Sequence, residues 1–149
     1  MPGPYTPADN EIGPIIHQIA LTIQAQIPSI AYVYEDMPDR APMDNTVLIP
    51  LSKSKVLSDT NGKIKVKHIF GVRHVFRRKQ YSSNVVSAYS YVLPWLKMLA
   101  AWPNQNLSGL AISVTTTDLM VTQVAESGQP MVALVVNFEV LTEFNADLT

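Results

Sequence analysis

The chain has 149 residues, 47% of them apolar, and a formal net charge of −1, which suits one domain with a full hydrophobic core. It contains no cysteine, so disulfides, thiolate metal centres, iron–sulfur clusters and cysteine nucleophiles are excluded. No apolar run nears the ~18 residues of a membrane-spanning helix, and the first twenty residues lack the basic-then-apolar order of a secretory signal.

Residues 1–10 (MPGPYTPADN) hold three prolines and a glycine and read as an extended arm. From Ile12 the apolar positions Ile15, Ile16, Ile19, Ala20, Ile23 and Ile27 fall in steps of three and four. That spacing predicts an amphipathic helix over about 11–26, capped by Asp9 or Asn10 and ended by Pro28. Ile30–Tyr34 is β-branched and aromatic, hence a short strand. Residues 35–45 form an acidic, proline-punctuated loop. Val47–Leu57 reads as a strand that Pro50 confines to an edge or interrupts at a bulge. Asp59-Thr60-Asn61-Gly62 is a hairpin turn signal.

Lys63–Arg78 alternates with period two. Ile64, Val66, His68, Phe70, Val72, His74 and Phe76 share one face, and Lys63, Lys65, Lys67, Arg73 and Arg77 the other. The length predicts a bend, placed at Gly71. Helical spacing returns over 84–101, with Asn84 as N-cap and a kink or break at Pro94. A loop follows from Trp102-Pro103-Asn104. Gly109–Val124 and Met131–Phe144 are two strands joined at 127–130, necessarily an antiparallel hairpin. In the last strand Val132, Leu134, Val136, Phe138, Val140 and Thr142 share a face. The order α-β-β-β-α-β-β predicts an α+β fold: a single, mostly antiparallel sheet of about five strands with two helices packed on one face. The domain is placed at 11–145, with 146–149 as a C-terminal tail.

The search for chemistry yields no catalytic constellation. His68 and His74 stand about 20 Å apart along an extended strand, and with His17 they read as structural or interface residues. The acidic loop lacks the spacing and glycine of an EF-hand. Glu139 and Glu143 lie roughly 13 Å apart on their strand, too far for an acid/base pair. The expectation is a non-enzyme without metal or cofactor.

Charge is the more informative feature. Residues 53–79 hold nine of the eleven Lys/Arg and one acid, Asp59, while the segments on either side are both acidic. Three uses are open for such a stripe. It is a solvated face whose lysines block edge-to-edge aggregation, a contact for phosphates, or a contact for the acidic residues Glu35, Asp36 and Asp39 of another copy. No recognition helix and no aromatic pair among the lysines supports sequence-specific reading. Only 15% of residues are charged. Tyr81, Tyr89, Tyr91, Trp95, Met98, Trp102 and Met120 supply side chains of the kind enriched in contact patches.

A helix leading into Ile27-Pro28-Ser29-Ile30-Ala31-Tyr32-Val33-Tyr34, then Asp36-Met37-Pro38, a long charged hairpin, a helix, and a final hairpin ending Val135-Val136-Asn137-Phe138-Glu139-Val140 resembles the tail terminator family of long-tailed bacteriophages. Related head–tail joining and neck proteins share the pattern. The resemblance covers about residues 11–145, in pattern and length. It implies a homo-oligomeric ring, hexameric in that family, at the head-proximal end of the tail tube. Such a ring ends tube polymerisation, meets the tail tube protein and the head connector or neck protein, and conducts genomic DNA. On this reading Lys63, Lys65, Lys67, Arg73 and Arg77 line the channel or dock on Glu35, Asp36 and Asp39 of a neighbour. The location implied is the virion, after assembly in the host cytoplasm, with no membrane contact. Two alternatives are a head-side connector or adaptor protein and a small non-specific nucleic-acid-binding protein.

Overall fold

A computed structural model describes residues 12–60, 62–77, 81–101, 107–126 and 128–145. The arm at 1–10, its proposed caps, the 102–104 loop and the 146–149 tail lie outside them. The elements in chain order are α1 (Ile12–Gln26), β1 (Tyr32–Tyr34), β2 (Thr46–Leu48), β3 (Leu51–Thr60), β4 (Lys63–Phe76), α2 (Tyr81–Ser90), α3 (Val92–Ala100), a 3-10 turn (Leu107–Gly109), β5 (Ser113–Glu126) and β6 (Gln129–Asn145). The fold is α+β, with the helices on one face of a six-stranded sheet of order β1-β2-β4-β6-β5.

The sheet is built on β4 and β6, which pair antiparallel without a register shift from Lys63↔Asn145 to Phe76↔Val132. Their even-numbered residues form the core face. Phe70, Val72, Phe76, Val132, Leu134, Val136, Phe138 and Val140 are at most 2% exposed, as the period-two pattern required. Phe70 and Phe138 stack with ring centroids 5.5 Å apart. Onto this face α1 sets Ile15, Ile19, Ala20 and Ile23, α2 sets Ala88, and α3 sets Trp95 and Met98. Each fully buried large apolar side chain contributes about 1.5–3 kcal/mol, so this layer dominates the stability.

The structure alters several of these expectations. The strand predicted over 47–57 is two strands, because the prolyl nitrogen of Pro50 cannot donate to a ladder. Both halves lie on the same side of β4: β2 pairs with Arg73–Val75 and β3 with Lys63–Phe70. The sheet therefore has six strands rather than five, and β1 joins β2 in parallel, making it mixed. Gly71 lies inside β4, which pairs with β6 across it without a register shift. It sits where β3 gives way to β2 and donates its N–H to Pro50 O at 3.3 Å. A Cβ there would lie 3.2 Å from Asn137 Oδ1 and 3.5 Å from Ser52 Oγ, so the glycine admits those two side chains.

The helix expected over 84–101 begins earlier, at Tyr81, and is divided at Tyr91, the break that Pro94 led one to expect. Pro94 has no N–H for Ser90 O. The chain closes α2 with Tyr91 N–H to Ala88 O and restarts with Trp95 N–H to Tyr91 O, both 3.1 Å. Pro94 thereby falls in the first turn of α3, where a missing N–H costs nothing. Asn84 is not a cap but a buried residue of α2, whose Nδ2 donates to Phe76 O at 3.5 Å.

The hairpin turns are tighter than the last one was expected to be. Thr60 pairs with Lys63 and Glu126 with Gln129, each across two residues. Gly62 and Gly128 supply the positive φ values of +72° and +80° that primed turns need. The helix-free face has its own small cluster at one end, where Leu48, Val75, Met131 and Ala133 pack with Tyr34, Ala41, Val124 and Val135. No helix of the described residues is long and apolar enough to cross a membrane.

Candidate interaction surface on the basic hairpin

Residues directly opposite in an antiparallel pair share a face, so the pairing of β3 with β4 fixes where the charge goes. Lys63, Lys65 and Lys67 point away from the helices, as the alternation required. Opposite them β3 adds two lysines outside the expected stripe: Lys53 faces Ile69 and Lys55 faces Lys67. The signal for them was the alternation in Leu51-Ser52-Lys53-Ser54-Lys55. Five lysines thus crowd the helix-free face of one hairpin. Like charges directly opposite, as at Lys55 and Lys67, disfavour the pairing slightly.

The neighbouring strand β6 returns some negative charge. Lys67 Nζ lies 3.2 Å from Glu139 Oε2, and Lys65 Nζ lies 3.9 Å from Glu143 Oε2. Both pairs are solvent-accessible and worth at most about 1 kcal/mol each, so they neither fix the lysines nor cancel the positive field. Among the described residues no carboxylate lies within ion-pair distance of Lys53, Lys55 or Lys63.

Arg73 and Arg77 stand apart from this group. Arg73 is committed to a bidentate pair with Glu126 at the end of β5, with Nη2 donating to Oε2 at 3.1 Å. A fork-to-fork pair of this kind is among the stronger surface contacts. Arg77 follows β4 at its other end, and its backbone N–H donates to Asp44 Oδ1 at 2.8 Å. The expected stripe of five therefore resolves into three lysines of the hairpin and two arginines at the far end of the strand.

Glu35, Asp36 and Asp39 are exposed, in the segment between β1 and β2. Glu35 accepts from His17 Nδ1 at 3.0 Å. This segment joins the sheet beside Arg73–Val75, some six or more residues along β4 from the hairpin lysines, about 20 Å by strand rise. Within one chain the two groups do not meet.

The histidines of β4 are used internally. His74 lies under the helices, against Phe76, Tyr91 and Trp95. Trp95 Nε1 donates to its Nδ1 at 3.1 Å, so the ring proton is on Nε2 and is donated to Asn45 Oδ1 at 2.7 Å. Asn45 in turn donates Nδ2 to Ser29 O at 2.7 Å and holds φ at +60°, a conformation asparagine tolerates. Burial lowers the His74 pKa from 6.5 to about 3. His68 is also buried, between Ser54 Oγ at 2.6 Å and Thr142 Oγ1 at 3.3 Å. A hydroxyl stands where a nucleophilic triad would need a carboxylate to orient the base. No group of three or more His, Asp or Glu able to hold a metal occurs among the described residues.

Of the amphipathic side chains, Trp95 and Met98 are core, and Tyr91 is half-buried with its hydroxyl 3.0 Å from Ser29 Oγ. Tyr89 and Met120 are exposed. On α2 and α3 Val86, Leu93 and Leu96 are exposed as well. Tyr81 and Trp102 lie where side chains are not described. No protein-family model matches this chain, and no curated protein matches its sequence.

Proposed function

We propose that the protein is a structural component of a phage virion: a ring-forming tail terminator that ends the tail tube and passes DNA toward it from the head. The observation that supports this most is the segregation of the sheet's two faces. One face is sealed by helices. The other carries five lysines on an extended hairpin, beside Glu139 and Glu143 of β6 and with Asp118 on β5, and among the described residues no recognition element. A cationic, helix-free face repeated around a ring contacts phosphates without reading bases, which is what a DNA-conducting channel requires. Exposed apolar side chains, among them Val56, Leu57, Ile112 and Met120, fit a subunit buried against its neighbours.

The head-side adaptor reading uses the same ring and surface. The same lysines also support a second reading, a small protein that binds nucleic acid non-specifically as a monomer.

Electron microscopy of lysates from a phage lacking this gene separates these readings. Over-length tails detached from heads are the expected result. Tails of normal length beside DNA-filled heads would favour the adaptor. Intact virions would overturn the structural role and leave the nucleic-acid-binding protein.

A further inference from the structure

We infer that copies of this chain join head to tail through the two lateral edges of the sheet, the β3 edge of one copy meeting the β5 edge of the next. Strands β3 and β5 lie on opposite sides of the sheet, and among the described residues each is paired on one side only. An unpaired edge is a row of free N–H and C=O groups that templates further pairing unless charge, proline or bulges blunt it.

The two edges differ in this respect. From Asp118 to Glu126, β5 runs without a register shift and contains no lysine, arginine or proline. The only charges in that stretch are the carboxylates at its two ends, Asp118 and Glu126. The β3 edge has register shifts on either side of Lys53–Val56 and carries two lysines, so it is guarded against indiscriminate pairing and favours an edge whose charge answers those lysines. Its side chains match those of β5 in chemistry. On β3, Lys53 and Lys55 precede the exposed apolar residues Val56 and Leu57, 63% and 43% accessible. On β5, Asp118 sits with Met120, and Ile112 precedes the strand, both about half accessible. Asp118 pairs with Asn137 on the helix-free face and accepts from its Nδ2 at 2.5 Å. The lysines and the aspartate therefore lie on the same face of the sheet, at opposite edges. Two β3 edges or two β5 edges would set like charges together, whereas β3 against β5 pairs them. A second copy is thus the occupant that the charges select.

Because the two edges are different surfaces, the contact is heterologous: it closes a ring when the rotation permits and otherwise grows a filament. The edges are also staggered, with β3 opposite Lys63–Phe70 and β5 reaching past Phe76. Closure then needs strands tilted to the ring axis, as in a barrel. Closure rests on the ring proposed above; the contact itself rests on the edges alone.

Sedimentation velocity across a concentration series at low salt tests it with Asp118→Lys, Asp118→Asn, Lys53→Glu with Lys55→Glu, and the combination of Asp118→Lys with both lysine reversals. Circular dichroism checks that each variant is folded. Asp118→Asn keeps an oxygen for Asn137 and removes only the charge. Each charge reversal alone is expected to weaken association by about tenfold or more, Asp118→Asn by less, and the combined variant to recover most of the affinity, as coupled sites do. Oligomers of unchanged affinity in both single-edge reversals would overturn the contact, as would a wild-type chain that stays monomeric throughout. Either result leaves the lysate experiment to judge the virion role by itself.

Discussion

At His74 both ring nitrogens are occupied, one by the Trp95 N–H and the other by donation to Asn45, so an added proton would set two donors face to face inside the core. Burial disfavours the charged ring and lowers the His74 pKa to about 3 in the folded protein, whereas the unfolded chain takes up the proton near 6.5. The unfolded state binds more protons between those values, so stability is full above about pH 6.5 and falls as the pH is lowered toward 3. Urea denaturation at pH 7.5 and pH 4.5 is expected to show a lower midpoint at the acidic value. His74→Phe removes this contribution and flattens the difference. It also lowers stability at pH 7.5, because the Trp95 N–H and Asn45 Oδ1 lose their partner, at about 1–3 kcal/mol each. A pH dependence identical in the two proteins would contradict this role of His74.

At the scale of elements, Pro94 gives a sharp expectation. If the proline strained a continuous helix, Pro94→Ala would stabilise the protein by about 3 kcal/mol. In the first turn of α3 it strains nothing, and the change in thermal-denaturation stability is expected to stay within about 1 kcal/mol. The break was legible because a proline inside a helical pattern has few outcomes. The alternation of β4 and β6 was legible for a similar reason: with one face buried, a period of two leaves a single register. Other features had no local signal. Parallel pairing of the three-residue strands β1 and β2 follows from where the sheet needs an edge. Pairing of Arg73 with Glu126 depends on which strands are neighbours, since 53 residues separate them. Lys53 and Lys55 join the basic face only because Pro50 divides the strand while keeping both halves on β4. The hairpin lysines carry the element's own prediction. Reversing Lys55 and Lys67 to glutamate should weaken binding to duplex DNA equally across sequences and reduce its salt dependence, making the log–log slope shallower by about 0.9 for each phosphate no longer neutralised. Titrations by fluorescence anisotropy at several salt concentrations measure it. An unchanged slope would return those lysines to a solvated face.

For the whole molecule, the helix-sealed face and the open cationic face give the subunit an inside and an outside. Edges of opposite charge give it two sides. A near-neutral chain divided this way assembles with the lysine faces turned toward one another around an axis only if something anionic occupies that axis, since otherwise the lysines repel. On the proposed function DNA supplies that charge, and α2 and α3 are left to face outward. A single-particle reconstruction of the head-proximal end of phage tails assembled with this protein tests the proposed arrangement most directly. The expected result is a closed ring of this subunit at that end, with Lys53, Lys55, Lys63, Lys65 and Lys67 on the channel wall. A ring whose channel is lined by α2 and α3, or a tail end without this chain, would contradict it.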